Sequence, residues 1–386
     1  MAFLSLIIKS AFRNRLRTIL TAVGVAVAII AFLFLRTFIA AWYAGVDAAA
    51  QDRLVVRNKI SLTFPLPLSY AVKIKGVPGV SDLGYSNWFG GVYLEERNFF
   101  AQFATDPEAL FRIYPEFLVP DDQKRAFLAD RTGAIVGRLL AEKYHWKIGD
   151  KVTLKGTIYP GDWSFTLRAI YDATQRGVDL QTMFFHWKYL NEQMPERRQD
   201  QVGIFLVHVA EANASPQVAR AIDQLFANSL AETRTESEKA FQLSFVSMAS
   251  EVLAAIQVVS GVVLIILMLI LGNTLAMATR ERTTEYAVMR ALGFRPSHIV
   301  RLVIGEGFVV AGTGVAIGVA LASPILGFFS DLFSKVVPGF LGEFHLEPSA
   351  VLLAVGVSLV GGMLAAAIPA WRAGRMRLVD ALRRVE

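Results

Sequence analysis

The stretch RERTTEYAVMRALGFRPSHIVR, residues 280–301, is a charged segment between two long apolar runs. The run before it reads LAAIQVVSGVVLIILMLILG, and the run after it reads LVIGEGFVVAGTGVAIGVAL. A hydrocarbon core about 30 Å thick is crossed by about 20 mainly apolar residues in a helix, and both runs have this length. The stretch therefore predicts a short surface segment that joins two membrane spans.

Four segments of the chain are apolar over the length of a span. Of the 386 residues, 54% are hydrophobic, which is more than an ordinary soluble protein has. The first segment is longer than the apolar part of a signal peptide, about 7–15 residues, so we interpret it as a retained anchor. The predicted spans are residues 18–41, 252–278, 299–321 and 351–370.

Positive charges beside the spans set their predicted orientation, because Lys and Arg near span ends stay in the cytoplasm. Three clusters flank the spans: Lys9, Arg13, Arg15 and Arg17; Arg280, Arg282, Arg290 and Arg295; and Arg372, Arg375, Arg377, Arg383 and Arg384. All three lie on one side only if there are four spans and both termini are cytoplasmic. The predicted fold is a membrane protein with four transmembrane α-helices (1 + 3) and a large α/β extracytoplasmic domain inserted between spans 1 and 2.

The predicted organisation follows from these spans. Strand and helix patterns in the outer region give two βαβ-like units with an insertion at about 107–185. The predicted segments are a cytoplasmic amphipathic helix (1–17), the first span with a stalk extension (18–53), the periplasmic α/β domain (54–235), a stalk and second span (236–279), a cytoplasmic coupling helix (280–298), the third span (299–329), a short periplasmic loop (330–348), the fourth span (349–371) and a cytoplasmic tail (372–386).

The second span extends outward in the predicted structure. No proline occurs from residue 237 to 279, so one unbroken helix of about 60 Å is expected at about 1.5 Å per residue. Its outer half carries an apolar stripe typical of a helix packed on another helix: Phe241, Phe245, Met248 and Val252. The alternative is that the helix frays at the membrane surface.

Two charges lie within the predicted spans, where charges are costly and often functional. Glu306 is two turns into the third span, so it either pairs with a cytoplasm-facing arginine or snorkels to the inner boundary. Arg36 lies near the outer boundary, where it either snorkels or contacts substrate. Gly314 and Gly318 in the third span permit close contact with a neighbouring helix.

Enzyme and nucleic-acid functions find little support in the sequence. The pI of about 9.5 reflects basic residues at span ends, which membrane orientation explains, so no nucleic-acid partner is expected. There is no G-x-x-x-x-G-K-S/T phosphate loop, no cysteine and no clustered histidine, so the chain is expected to be non-catalytic. Asp121 and Asp122 after Pro120 are interpreted as a turn, and His208 as a structural histidine.

The opening stretch indicates a short helix with its own boundaries. Helix-forming residues run to Leu292, Gly293 is suited to end the helix, and Pro296 is suited to begin the next one. Tyr286 and Met289 recur with Leu292 on one side, an arrangement suited to a groove on a partner or to lipid.

This stretch, with NTLAMATRE before it, resembles the signature of the MacB- and FtsX-type permeases of ABC transporters. NRLRTILTAVGVAVAI, GRLLAEKYHWKIGDKVTL and IPAWRAGRMRLVDALRR are similar to other parts of these permeases, so the resemblance extends over the chain. It implies a permease that works as a dimer and docks a separate ATPase. The docking segment carried over from the resemblance is Glu281, Arg282, Thr283, Glu285, Met289, Arg290, Ala291, Leu292 and Gly293.

The resemblance also implies partners and a mechanism. A cytoplasmic ABC ATPase dimer would use ATP and Mg, while this chain binds no cofactor. A second permease protomer, membrane lipid, a periplasmic adaptor protein and an outer-membrane channel are the other implied partners. ATP-driven movement of the stalks would drive export or extraction of a hydrophobic, lipid, lipoprotein or drug-like substrate at the cell inner membrane.

Two other functions remain open at this point. An FtsX-like regulator would transmit ATPase motion to a periplasmic cell-wall hydrolase. A periplasmic ligand sensor would need a cytoplasmic output domain, and the longest inner segment expected here is the short stretch between spans two and three.

Overall fold

The computed structural model describes residues 2–96, 98–175, 177–336 and 346–374. The chain divides into two compact units, which we call the helical unit (residues 1–40, 250–330 and 344–386) and the sheet unit (residues 41–249 and 331–343). Most of the predicted outer loop at 330–348 and of the predicted tail at 372–386 lies outside the described residues.

The described residues form the following α-helices, in chain order: α1 (Ala2–Ala11), α2 (Arg15–Ala48), α3 (Tyr70–Lys75), α4 (Pro107–Ile113), α5 (Asp121–Ala129), α6 (Arg138–Tyr144), α7 (Trp187–Gln193), α8 (Ser215–Leu225), α9 (Glu238–Met248), α10 (Ser250–Glu281), α11 (Thr283–Ala291), α12 (Pro296–Val336) and α13 (Pro348–Gly374). Their strands are β1 (Arg53–Asn58), β2 (Leu66–Pro67), β3 (Val80–Trp88), β4 (Gln102–Thr105), β5 (Phe117–Leu118), β6 (Gly133–Gly137), β7 (Lys151–Gly156), β8 (Gly161–Ala173), β9 (Met183–His186), β10 (Gln201–Val202), β11 (Ile204–Val209) and β12 (Thr233–Ser237).

Long apolar helices dominate the helical unit. Within the described residues, three helical stretches are long and apolar enough to cross a membrane: Arg15–Ala48, Ser250–Glu281 and Pro296–Ser330. The fourth predicted span lies in α13, whose apolar stretch Pro348–Leu364 is shorter. The number of spans therefore stays a prediction.

Glycines of α12 let it lie close to α2. A Cβ built on Gly314 would be 2.6 Å from Cβ of Val25, and one on Gly318 would be 2.8 Å from Cβ of Ile29. Both distances are too short for real carbon atoms, so side chains at these positions would push the helices apart. The helix that contacts Gly314 and Gly318, which the sequence alone did not identify, is therefore α2. A Cβ on Gly312 would meet open space.

The long helix predicted from residue 237 to 279 is interrupted at Ala249, so the prediction of one unbroken helix is wrong. The break separates α9 from α10. Before it, the hydroxyl of Ser244 donates to the carbonyl of Phe241, and that of Ser247 donates to the carbonyl of Ser244. At the break the N–H of Ala249 donates to the carbonyl of Val246 at 3.0 Å, three residues back instead of the four of an α-helix.

A large sheet forms the sheet unit, with strand order β12-β1-β11-β3-β4-β9-β6-β8-β5 and β7 paired to β8. β1 and β3 both pair antiparallel with β11, so β1-α3-β3 is a split βαβ unit with β11 between its strands. β12 pairs antiparallel with β1, which makes β11-α8-β12 the second such unit. The chain between β3 and β11, which we call the inserted segment (residues 89–203), is longer than the predicted insertion.

The core of the sheet unit lies on both faces of the sheet. α3 and α8 cover one face with Ile74 and Ile222, both fully buried. The rings of Tyr70 and Phe226 stack between these helices at 3.9 Å. A second cluster in the inserted segment comprises Leu110, Phe127, Ile135, Ala169 and Tyr171.

One local interpretation of the inserted segment is wrong. Asp121 and Asp122 were expected in a turn, but they form the first turn of α5 after Pro120. Carboxylates at the N-terminus of a helix interact favourably with its dipole, and Pro120 fixes the entry of the chain. The two acids therefore begin a helix.

Candidate functional site

The short helix α11 lies between the long helices α10 and α12, where the opening stretch predicted a helix of its own. After its last residue, Gly293 adopts a φ of 94°. The N–H groups of Gly293 and Phe294 then bond the carbonyls of Arg290 and Met289 at 3.1 Å each. This is a glycine-terminated helix end, and Pro296 starts α12 as the sequence predicted.

The apolar side of α11 packs on the helical unit itself. Tyr286 is 2% exposed, in a cluster with Ile7 of α1, Ile299 of α12 and Ala370 of α13. Burial first, and then the nearby Glu306 carboxylate, raise the pKa of Tyr286 to about 12. The interpretation that Tyr286 enters a partner's groove or rests on lipid is therefore wrong, because its own chain already covers it.

A buried ion pair fastens the start of α11 to two other helices. Arg282 Nη1 lies 3.0 Å from Glu306 Oε2 of α12, and the two side chains are 8% and 7% exposed. The same guanidinium donates to the hydroxyl of Ser10 and, at 2.8 Å, to the carbonyl of Ser10. Glu306 thus has the arginine partner that the sequence left as one of two possibilities. Arg282 ties α1, α11 and α12 together.

A small cavity borders Glu306. A cavity of about 10 Å³ borders Glu306, Arg17, Thr21 and Thr274, among other residues. A cavity of this volume can hold about one water molecule. The hydroxyls of Thr21 and Thr274 lie 3.3 Å apart. The buried carboxylate therefore lies in a polar niche within an apolar helix bundle.

Two exposed ion pairs accompany the buried one. Arg13 Nη1 lies 2.7 Å from Glu285 Oε1, and Arg17 Nη1 lies 2.6 Å from Glu281 Oε2. The Arg13 and Glu285 side chains are 65% and 39% exposed, so water screens this pair. The N-terminal cations predicted as membrane-flanking charges thus also contact the acids of the opening stretch.

The C-terminal end of α11 is exposed and apolar. Leu292 is 75% exposed, Val288 is 48% exposed and Phe294 is 40% exposed. We call these three residues the apolar end of α11. Large apolar side chains grouped on a surface mark a contact site for a protein or a membrane.

The predicted docking residues divide into two sets. Arg282 is buried within the helical unit, and Glu281 and Glu285 are engaged by N-terminal arginines. Ala291, Leu292 and Gly293 are exposed, and Thr283, Met289 and Arg290 are half-buried. The structure thus brings the set together on one helix, and their docking role stays a prediction.

The remaining predicted residues lie away from α11. Arg36 is half-buried in α2. Phe245, Met248 and Val252 of the stalk stripe are 45%, 84% and 61% exposed, and Phe241 is half-buried with its ring 5.0 Å from that of Phe245. That the stripe packs against another helix stays a prediction.

His208 is held by two neighbours in the sheet unit. Its Nδ1 lies 2.7 Å from the Ser81 hydroxyl, and its Nε2 lies 3.2 Å from Asp52 Oδ2. The Ser81 hydroxyl also donates to the His208 carbonyl, so its proton is engaged with the backbone. The geometry fits the interpretation of His208 as a structural histidine. Across the described ranges, no group of three or more His, Asp or Glu side chains is arranged to hold a metal ion.

Sequence reasoning missed Ser10 and the pairing of the N-terminal arginines. One signal was present: Arg13 and Arg17 are four residues apart, and so are Glu281 and Glu285. Two complementary charge pairs at equal spacing predict contact between the segments that carry them. Ser10 gave no such signal, since its contact with Arg282 joins positions 272 residues apart.

Two family models match the chain. The model of the MacB-like periplasmic core domain matches residues 18–225, and that of the FtsX-like permease C-terminal matches residues 257–378. The first covers more than half of the chain. This chain belongs to the MacB/FtsX-type permeases. As a member of this family it is an ABC-type permease of the inner membrane with several membrane-crossing helices, and its sheet unit is the periplasmic α/β domain.

Curated relatives of this MacB/FtsX-type permease are similar over a limited stretch. The macrolide export ATP-binding/permease protein MacB of Escherichia coli is 36% identical over 112 residues, which are 29% of this chain and 16% of that protein. The protein of the same name from Chromobacterium violaceum is 32% identical, with the same coverage. The match thus spans about one sixth of the length of these relatives.

Two of the solved structures similar to this MacB/FtsX-type permease are extracytoplasmic domains. The match to the extracellular domain of the ABC-type transporter YknZ from Gram-positive bacteria covers 48% of this chain and 98% of that domain, with 15% identity and a TM-score of 0.36. The match to the periplasmic region of MacB from Actinobacillus actinomycetemcomitans covers 52% of this chain and 95% of that region, with 7% identity and a TM-score of 0.37.

Proposed function

We propose that this chain is the transmembrane subunit of an ABC system in which a separate cytoplasmic ATPase moves the periplasmic domain. The observation that carries the proposal is the construction of α11. Its start is fastened by Arg282 to Glu306 and Ser10, while its apolar end is exposed. A force applied to the exposed end therefore reaches α1 and α12 through buried contacts.

The apolar end of α11 is the surface we assign to ATPase docking. Burying one leucine-sized side chain stabilises a contact by about 1.5–3 kcal/mol. Leu292 and its two neighbours therefore supply enough apolar surface for a helix to seat in a groove. ATP and Mg belong to the ATPase in this proposal, and both termini of the permease lie in the cytoplasm on the same side as α11.

The proposed task is export or extraction of a hydrophobic, lipid, lipoprotein or drug-like substrate. Two permease protomers, a periplasmic adaptor and an outer-membrane channel complete the proposed machine. The matches to the MacB-like periplasmic core domain and to the FtsX-like permease C-terminal support an ABC-type permease, and an FtsX-like regulator of a periplasmic cell-wall hydrolase is the alternative function. Work would be done by movement of the periplasmic domain, driven through α2, α9 and α10.

The test is co-purification of the ATPase with the permease. Leu292→Asp places a charge in the apolar end, and we expect binding about ten- to hundredfold weaker, from the loss of one buried leucine. Thr284→Asp is the matched control, because Thr284 is exposed on the same helix and an acid near its N-terminus is favourable. Unchanged binding by Leu292→Asp, with both variants inserted normally, would contradict the docking assignment.

A further inference from the structure

A second buried charge cluster lies in the sheet unit, where two helices meet two neighbouring strands. α2 ends at Ala48 and β1 begins at Arg53, while β12 ends at Ser237 and α9 begins at Glu238. β1 and β12 are paired antiparallel, with Leu54 opposite Ser237. The two helix–strand junctions are therefore side by side.

Arg53 joins these junctions to the inserted segment. Its Nε lies 2.7 Å from Glu238 Oε2, and its Nη1 lies 2.7 Å from Glu116 Oε1. Nη1 also donates to the carbonyl of Ile113 at 3.1 Å, and the guanidinium lies 4.5 Å from the centre of the Tyr114 ring. The three charged side chains are 8–10% exposed, so little water screens them.

Electrostatic attraction stabilises the charge on Arg53. Burial acts to lower the pKa of Arg53, but the attraction of Glu238, Tyr114 and Glu116 raises it above the ordinary value. Burial and the neighbouring Glu238 raise the pKa of Tyr114 well above its ordinary value, so the phenol keeps its proton. The phenol lies 3.3 Å from Glu238 Oε1, to which it donates. Each charged group therefore has partners within the cluster.

Hydrogen bonds hold three residues of the connector between α2 and β1. The N–H of Ala50 donates to Glu238 Oε2 at 3.2 Å, and the Ser215 hydroxyl of α8 donates to the carbonyl of Gln51 at 3.1 Å. The N–H of Val209 donates to the carbonyl of Asp52 at 2.8 Å. A change of backbone conformation in this connector would break these bonds, so it is not suited to act as a free hinge.

We propose that Arg53, held between Glu238 and Glu116, is the joint through which movement of α2 and α9 is transmitted to the inserted segment. The inference rests on the proposed function, since it needs helices that move with ATP. The joint acts by position: a shift of either helix displaces Arg53, and Arg53 displaces Glu116 and the end of α4. Without Arg53 the helices still move, but the inserted segment no longer follows them.

The same two strands supply a matched control. Arg57 of β1 and Glu236 of β12 form a second pair, with Nε 2.8 Å from Oε1 and side chains 14% and 12% exposed. This pair has the same residue types as Arg53 and Glu238 and similar burial, and Arg57 lies on the same strand as Arg53. It makes no contact with the connector among the described hydrogen bonds and ion pairs, so Arg57→Met is expected to leave transmission intact.

The experiment follows two sites in the permease purified with its ATPase in lipid nanodiscs. The chain has no cysteine, so a single spin label can be placed at Asp47→Cys, near the end of α2, or at Asp122→Cys, in the inserted segment. Distances between the labels on two protomers are measured by electron paramagnetic resonance with and without ATP. In the parent protein we expect ATP to shift both distances.

With Arg53→Met we expect the ATP-dependent shift at residue 47 to persist and that at residue 122 to be lost. Arg57→Met is expected to keep both shifts. If Arg53→Met fails to fold, Arg53→Met combined with Glu116→Gln and Glu238→Gln removes the cation without leaving buried charges, and the same loss is expected. Persistence of both shifts in a folded Arg53 variant would overturn the joint. Absence of any ATP-dependent shift in the parent protein would instead refute the proposed function, on which the joint rests.

Discussion

Glu306→Ala gives the most quantitative test of how α11 is fastened. The substitution leaves the Arg282 guanidinium, 8% exposed, without its carboxylate but with its two contacts to Ser10. Breaking a buried ion pair on one side costs about 3–5 kcal/mol. The retained contacts favour the lower end, about 3 kcal/mol, which corresponds to about a hundredfold increase in local opening of α11.

Thiol labelling measures this opening directly. Ala287 is 3% exposed, so Ala287→Cys reacts only when α11 opens, and Val288→Cys, at a position 48% exposed, reacts in the closed state as well. We expect Glu306→Ala to accelerate labelling at residue 287 about a hundredfold and to leave labelling at residue 288 unchanged. The parent chain contributes no reactive thiol, because it has no cysteine.

The exposed pair on the same helix is the control. Glu285→Ala breaks the contact with Arg13, which is worth about 0–1 kcal/mol, so labelling at residue 287 should rise about fivefold at most. Arg282→Met combined with Glu306→Leu should restore slow labelling, because no buried charge is left unpaired. Equal, small effects of Glu306→Ala and Glu285→Ala would refute the assignment of Arg282 as the main fastening.

Two further predictions concern packing and pH. Gly314→Val should lower the free energy of unfolding of the detergent-solubilised protein by about 1–3 kcal/mol, because its side chain would collide with Val25. Gly312→Ala faces open space and should change this free energy little. Equal losses of stability in thermal melts of the two variants would contradict the close contact of α2 and α12. Burial acts to raise the pKa of Asp130 in the sheet unit, but hydrogen bonds from Arg168 and Thr132 lower this pKa overall. The contribution of the Asp130 carboxylate to stability is therefore present above the unfolded-state pKa of about 3.9. It is lost as pH falls through the lower folded-state pKa. Asp130→Asn should therefore be less stable than the parent protein near neutral pH and should lose less stability than the parent on acidification below about pH 4, as followed by tryptophan fluorescence. An acid dependence equal to that of the parent would contradict the stabilising role of the Asp130–Arg168 pair.

Features coded by local sequence were predictable. Gly293 and Pro296 place the boundary between α11 and α12, because left-handed backbone and a helix start need those residue types. In each case the residues that decide the structure are neighbours along the chain.

Features decided by distant partners were not predictable. Two βαβ-like units were expected, but no local pattern indicated that β11 pairs between β1 and β3, because β11 follows only after the inserted segment. The break at Ala249 was missed because the prediction relied on the absence of proline from residue 237 to 279, and the helix ends without one.

The candidate site likewise combines a feature coded by local sequence with features set by distant residues. The sequence places Arg282 and Glu285 three residues apart on one helix, with nothing local to separate a buried cation from a surface acid. Their different roles come from Glu306, 24 residues later, and from Ser10, 272 residues earlier. The docking segment was therefore predicted as one set, while the structure separates a fastened start from an exposed apolar end.

The most direct test of the central claim is site-specific photocrosslinking from the apolar end of α11 in intact cells. A photoreactive amino acid is placed at Leu292 or, as a control, at Val72, which is 78% exposed in the sheet unit. Mass spectrometry then identifies any captured chain that contains a G-x-x-x-x-G-K-S/T phosphate loop. Capture of such an ATPase from residue 292, and none from residue 72, is the predicted result. No capture from residue 292, or equal capture from both positions, would contradict docking at α11.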